Sequence, residues 1–367
     1  MKNVFGSAIT VTLFGESHGD MIGAVLDGLA PGIAIDYEYI DKKLAMRRPS
    51  GKISTARVEA DKYNIVSGVY NGYTTGTPLT LLIENTNTKS SDYSELKYKP
   101  RPGHADYTAE VKYHGYQDPR GGGHFSGRVT AALVAVGAIL TSALSKKDIT
   151  IGTHISSIGS VTDRGFEDLH QDVAVLDSKL FPVLSDESGE KMTALIESVA
   201  SEGDSIGGVL ETAIIGMPAG VGEPWFDSVE SRLSHIIFSV PGIKGVEFGD
   251  GFAMTTMRGS EANDAFATDG DKVSTVTNHN GGINGGITNG MPIIMRTAVK
   301  PTPSIFKEQA TVDLREMKND TLSLRGRHDP CIVHRARAVI DAVTAIAIAD
   351  MLTERYGTDA LSEGKEL

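Results

Sequence analysis

The chain has 367 residues, 40% of them apolar, enough to bury a substantial core in one large domain or two smaller ones. With 47 acidic against 35 basic residues its formal charge is -12, which disfavours nucleic acid and anionic membrane surfaces as general partners. A single cysteine, Cys331, cannot close an intramolecular disulfide, so nothing in the composition points to an oxidising compartment and a cytoplasmic location is expected.

Residues 8–14 alternate β-branched and apolar side chains, the pattern of a strand with one exposed face. They run into Gly15-Glu16-Ser17-His18-Gly19, which places His18 on a strand-end loop. A second strand, from Gly23, leads to Pro31-Gly32; Asp36 to Arg47 then shows helical spacing around Ile40 and Leu44 until Pro49 stops it. The same order returns at Gly208 to Glu211, Pro218-Ala219-Gly220 and a helix over Asp227 to Ser239, which suggests an internal duplication. Arg128 to Leu144, with Ser126 available as N-cap, and Val333 to Tyr356, ahead of Gly357, read as long helices. Residues 245–300 are rich in glycine and asparagine without a helical period, and read as strands with long glycine-rich connections. The longest apolar run, residues 131–140, is shorter than the roughly 20 residues of a bilayer span, and the N-terminus lacks a signal-peptide core. No linker divides the chain, so residues 1–367 are expected to form one domain.

Histidine recurs beside glycine in Ser17-His18-Gly19, Pro102-Gly103-His104-Ala105-Asp106, Gly121-Gly122-Gly123-His124, His279-Asn280-Gly281 and Gly326-Arg327-His328-Asp329. Glycine admits sharp turns and close ligand approach, and histidine changes charge near neutral pH, so a loop-built active site is expected. Basic residues cluster in the same loops: Arg47, Arg48, Lys52 and Arg57; Lys97, Lys99 and Arg101; Arg120 and Arg128; Arg325, Arg327, Arg335 and Arg337. Guanidinium forks bind carboxylate and phosphate, so an anionic substrate suits them, although any one arginine could equally serve a surface ion pair. The triple glycine reads as a phosphate cradle or an empty tight turn. No His-Glu-x-x-His or cysteine-based zinc pattern occurs, so no metal site is assigned and proton transfer by histidine fits better. Gly15-x-Ser17-x-Gly19 matches the bare hydrolase elbow, but a strand follows where the elbow needs a helix.

Taken together the chain resembles chorismate synthases. The resemblance rests on Phe14 to Gly19, Arg47-Arg48-Pro49, Arg101 to Tyr107, Lys300-Pro301-Thr302-Pro303-Ser304-Ile305 and Gly326 to Cys331, in the family's order and spacing. It implies an α+β fold, a β-α-β sandwich of antiparallel sheets flanked by helices, in a homotetramer. It further implies anti-1,4-elimination of phosphate from 5-enolpyruvylshikimate 3-phosphate to give chorismate, a step toward aromatic amino acids. The reaction requires reduced FMN although it is redox-neutral overall; the flavin lends electron density to the substrate and regains it.

By the same resemblance His18 serves the departing phosphate, His104 stands near the flavin ring and Asp329 lies beside the flavin reaction centre. Flavin contacts fall to His124, Phe125, Ser126, Gly285, Lys300, Pro301, Thr302, Pro303, Ser304 and Arg327; substrate contacts fall to Arg47, Arg48, Arg128 and Arg335. Two departures stand out. The family's commoner run after the triple glycine is Arg-Ser-Ser-Ala-Arg, whereas this chain has His124-Phe125-Ser126-Gly127-Arg128, so the first charge depends on protonation. Lys52 replaces a usual arginine linked to nicotinamide contact, so NADPH is expected only indirectly, for flavin reduction by an external reductase. Two rivals differ in class: a binding-only flavin or anion sensor would not need His18, His104 and Asp329 together, and a metal-dependent phosphatase would be stopped by chelator.

Overall fold

Strict alternation of apolar residues along Leu79, Leu81 and Ile83, and again along Ile293, Met295 and Val299, gives two strands that each turn one side toward a helical core. In the computed structural model, which describes residues 2–49, 51, 53–54, 60–86, 98–324 and 328–367, these strands belong to two separate five-stranded antiparallel sheets. The first sheet contains β1 (Val4–Phe5), β2 (Thr10–Gly15), β3 (Met21–Asp27), β4 (Tyr63–Ser67) and β5 (Leu79–Glu84), ordered β1-β2-β3-β5-β4. The second contains β6 (Thr150–Ile158), β7 (Val161–Thr162), β8 (Gly208–Ile215), β9 (Ile243–Phe248) and β10 (Ile293–Val299), ordered β9-β10-β8-β6-β7.

The helices are α1 (Tyr37–Arg47), α2 (Asp106–Tyr113), α3 (Thr130–Ser145), α4 (Leu169–Leu176), α5 (Asp186–Ser201), α6 (Val229–Ile237), the single turn α7 (Gly259–Ala262) and α8 (Val333–Tyr356). α3 packs on β3 and β5 of the first sheet, on β6 of the second and along α8, which itself covers β6 and β8. The result is the expected α+β sandwich with helices between antiparallel sheets. The segment Gly127–Ser145 is long and apolar enough to cross a membrane by composition, yet 89% of it is buried inside the protein. A helix apolar on every side is what a position between two sheets demands.

The suspected duplication has a topological counterpart. The series β2, β3, α1, β4, β5, α3 matches the series β6, β8, α6, β9, β10, α8, and the sheet orders β2-β3-β5-β4 and β6-β8-β10-β9 are the same. Even the register irregularity recurs, between Ile65 and Ser67 on β4 and between Ile243 and Gly245 on β9. Helix boundaries follow the sequence signals closely: Asp36 caps α1 by accepting the Tyr39 N–H at 2.9 Å, and Val333–Tyr356 is the span expected for α8. Short helices left less trace. α2, α4 and α5 lie where no helix was anticipated, and the region 245–300 holds helical turns at Gly251–Thr256 and Gly259–Ala262, too short to produce a period.

Where α3 crosses α8, Gly137 faces Ala342, and a Cβ at Gly137 would lie 2.5 Å from the Ala342 Cβ and 2.6 Å from its Cα. On an exposed helical surface Gly→Ala stabilises by about 1 kcal/mol. Here the sign reverses: Gly137→Ala is expected to destabilise by about 1–3 kcal/mol through overpacking. A denaturant midpoint equal to or above that of the parent would refute this helix contact.

Candidate active site

A cleft of about 1600 Å³ opens where the β2–β3 connection, residues 101–105, residues 121–129, residues 300–304 and the start of α8 converge. Its lining includes His18, Arg47, His104, His124, Phe125, Ser126, Arg128, Lys300, Pro301, Thr302, Pro303, Ser304, Asp329 and Arg335. Lys2, Arg101 and Lys244 add positive charge, and among the described lining residues Asp329 is the one acid. A chain of formal charge -12 therefore gathers its cations in one concavity, where the field is focused on an anion. Leu13, Val129, Leu133, Ile332 and Val339 supply an apolar wall beside them.

The triple glycine separates two of the histidines. Gly121, Gly122 and Gly123 take φ of 62°, 106° and 53°, a conformation that side chains strain. A Cβ on Gly121 would fall 2.1 Å from His18 Cε1, and one on Gly122 would touch the His104 ring at 3.4 Å. Of the two readings offered by the sequence, neither describes it fully: the turn is a spacer that lets both imidazoles approach the same backbone. The Ser17 N–H donates to the Gly123 carbonyl at 3.1 Å and fixes the His18 loop to it.

Tautomers follow from partners. Ser17 Oγ lies 3.2 Å from the Arg120 carbonyl, which can only accept, so its hydroxyl donates there and accepts from His18 Nδ1 at 3.1 Å. His104 Nδ1 lies 2.6 Å from Asp106 Oδ1, and Arg101 forks onto the same carboxylate through Nε and Nη2, each at 2.7 Å. Burial works against an ionised Asp106, but the hydrogen bonds from Arg101 and His104 outweigh it and hold the carboxyl well below its ordinary range. That carboxylate therefore accepts, and His104 carries its Nδ1 proton. His124 Nδ1 donates to the Gly15 carbonyl at 2.8 Å, which fixes the orientation of its ring. Ser126 accepts from the Arg128 N–H and caps the turn leading into α3.

The arginines are held from behind. Asp61, with a side chain 0% exposed, pairs with Arg47 Nη2 at 3.0 Å and with Arg128 Nη1. Burial opposes its charge, but the Arg47 and Arg128 guanidiniums prevail and hold its carboxyl below the usual carboxylate range. Asn85 accepts from Arg128 Nε at 3.1 Å. Arg335 Nη1 pairs with Asp329 at 2.6 Å while its Nε donates to the Arg47 carbonyl at 2.8 Å, so it braces two neighbours. Thr302 donates to the Asp329 carbonyl and Lys300 to the Gly103 carbonyl, which joins residues 300–304 to the His104 loop.

Not every anticipated residue arrives here. Arg48 donates to the Ala60 carbonyl at 2.7 Å and lies behind Arg47, off the cleft lining. Gly285 sits exposed at the tip of the hairpin Ile283–Thr288, also off that lining. Arg327, Lys52, Arg57, Lys97 and Arg325 lie outside the described residues. His279 pairs with Asp250 at 2.5 Å within a loop clasped by Asp264, a structural role. Among the described residues no three His, Cys, Asp or Glu side chains form a metal-ligand group. Asp61, Asn85 and Asp106 went unassigned in the sequence. Asp106 had a signal, two positions after His104 in one motif; Asp61 and Asn85 reach their partners only through the fold.

Comparison with known proteins agrees along the whole chain. The family model described as chorismate synthase matches residues 9–353. The chorismate synthase of Pyrococcus abyssi is 47% identical over 95% of this chain and 97% of its own, and that of Dehalococcoides mccartyi is 45% identical over 96% of each. A solved structure titled "Crystal Structure of Chorismate Synthase" superposes with a TM-score of 0.75 at 28% identity, covering 97% of this chain and 96% of the other. On these matches this protein, with its cationic, histidine-bearing cleft, belongs to the chorismate synthase family of lyases.

Proposed function

We propose that this chain removes phosphate from 5-enolpyruvylshikimate 3-phosphate by anti-1,4-elimination, forming chorismate in the shikimate pathway, in the presence of reduced FMN. The observation that carries this reading is the pair His18 and His104, set on either side of one glycine turn in a cleft whose described charges are nearly all positive. The reaction breaks a carbon–oxygen bond and a carbon–hydrogen bond, forms a carbon–carbon double bond and releases phosphate and a proton, with no net redox change. Its substrate carries two carboxylates and a phosphate, and needs several cations at once.

The donor set fits a flavin mononucleotide as well: an apolar wall suits a flat ring system, and cations beside it suit a phosphate. His124, Phe125, Ser126, residues 300–304 and Arg327 are assigned to hold it. When bound in reduced form it would supply transient electron density to the substrate. Asp329, braced by Arg335, is assigned to the flavin reaction centre, and His104, its Nδ1–H held by Asp106, is assigned to present Nε2 to the same place. His18, as its imidazolium, delivers the Nε2 proton to the departing phosphate, and Arg47, Arg128 and Arg335 orient the substrate anions and offset their charge, while Arg48 stays off the cleft lining. The remaining assignments are a homotetramer, a cytoplasmic location and an external source of reduced flavin, with NADPH acting only through that source.

Anaerobic incubation with the substrate and chemically reduced FMN should produce chorismate absorbance, and absence of product would reject the assignment. His18→Ala and His104→Ala are each expected to lower turnover roughly 10²-fold or more, the range of a lost general acid or base; near-normal turnover would remove that residue from the mechanism. Asp106→Asn should also cost roughly 10²-fold, because an amide can present its N–H to His104 and shift the tautomer. In a His104→Ala background the same change should cost little, and a full additional loss would show that Asp106 acts elsewhere. His124→Arg, which puts a permanent charge where the family's commoner run has arginine, should tighten FMN binding, and His124→Ala should weaken it. Equal FMN affinity in the parent and both variants would remove His124 from the flavin site.

A further inference from the structure

We propose that Asn85 is a positioning residue that fixes the His18 loop relative to Arg128, so that the imidazole and the guanidinium keep one spacing when an anion binds between them. This rests on the roles given above to His18 and Arg128. Asn85 follows the last residue of β5 and does not line the cleft. Its Nδ2 donates to the Glu16 carbonyl at 2.9 Å and to the Gly19 carbonyl at 2.8 Å, on either side of His18. Its own N–H donates to the Asp20 carbonyl at 3.0 Å, so three carbonyls of one short loop are held by one residue. On its other side Oδ1 accepts from Arg128 Nε at 3.1 Å, and Arg128 Nη2 donates to the adjoining Glu84 carbonyl at 3.2 Å.

An amide suits this place on chemical grounds. It is a neutral group that donates twice and also accepts, and the two carbonyls on one side and the guanidinium on the other determine which way it faces. A carboxylate would keep the arginine but set an acceptor against two acceptors. A shorter hydroxyl could not span the gap. The end of β5 is thus a post to which both the loop and Arg128 are tied, and a strand fixed in the sheet moves less than either alone.

The test compares the parent protein with Asn85→Asp and Asn85→Ser by hydrogen–deuterium exchange of the segment 15–22, with and without 5-enolpyruvylshikimate 3-phosphate. In the parent the substrate should slow exchange there. In both variants basal exchange should rise about tenfold, as expected for losing two modest hydrogen bonds, and the substrate should no longer slow it, while α8 stays protected. Unchanged exchange at 15–22 in both variants would overturn the proposal. If Asn85→Asp also exposes α8, its fold has failed and Asn85→Ser decides. In turnover, each variant should lose roughly tenfold in kcat with a smaller change in KM, and should add less than about twofold to the loss in His18→Ala. Fully additive losses would overturn it. Should His18→Ala alone turn over normally, the acid role of His18 fails, and the exchange experiment decides the mechanical link by itself.

Discussion

A side chain at residue 121 would fill the space of the His18 ring, its Cβ falling 2.1 Å from Cε1, so the His18 loop can pack on the turn only where that turn is bare backbone. Gly121-Gly122-Gly123 meets this constraint by contributing backbone alone, in a conformation that disfavours every residue with a Cβ. The His18 ring therefore packs against bare peptide, and the His104 ring lies beside the next glycine. What remains is to stop each ring from rotating, and Ser17 and Asp106 do so through the Nδ1 atoms. Arg101 in turn holds Asp106 through two charged hydrogen bonds and a third from its own N–H at 3.0 Å.

Concentrating arginines raises the opposite problem, since like charges spread apart unless anchored. Asp61 anchors two of them from the protein side, with Arg48 Nε at 3.6 Å from the same carboxylate. Buried ion pairs contribute little net stability after desolvation, so the benefit of this one lies in fixed geometry. One carboxylate against several guanidiniums also leaves the cleft cationic. A second acid at this position would cancel the field that draws an anion into an otherwise acidic protein.

How much of this was legible before the fold was known depended on range. Strand β2 announced itself by alternation, β3 by a short apolar run ahead of Pro31-Gly32, α8 by its bounds and apolar length, and the loop histidines by their glycine neighbours, because each signal lies within a few residues. α2, at eight residues, has no side-chain cap, and α4 is equally brief, so neither builds a period; α5 is an amphipathic helix capped by Ser185, and that signal is present in the sequence. Asp61 and Asn85 gave no local sign, since their partners Arg47, Arg128, Glu16 and Gly19 lie 14 to 69 positions away. Gly285 and Arg48 were placed at the site through resemblance, and the chain itself sets both outside the cleft lining.

The duplicated topology explains why the site is where it is. In the first half the connection from β5 to α3 carries Asn85, His104 and the run Gly121 to Arg128; in the second, the equivalent connection from β10 to α8 carries Lys300 to Ser304 and Asp329. Both connections enter helices that pack against each other, and both line the one cleft. The packing of Gly137 on Ala342 constrains the helices and not the loops before them. A symmetric scaffold thus delivers an asymmetric cleft, with both imidazoles that contact the glycine turn on the first connection's side and the braced carboxylate of Asp329 on the other.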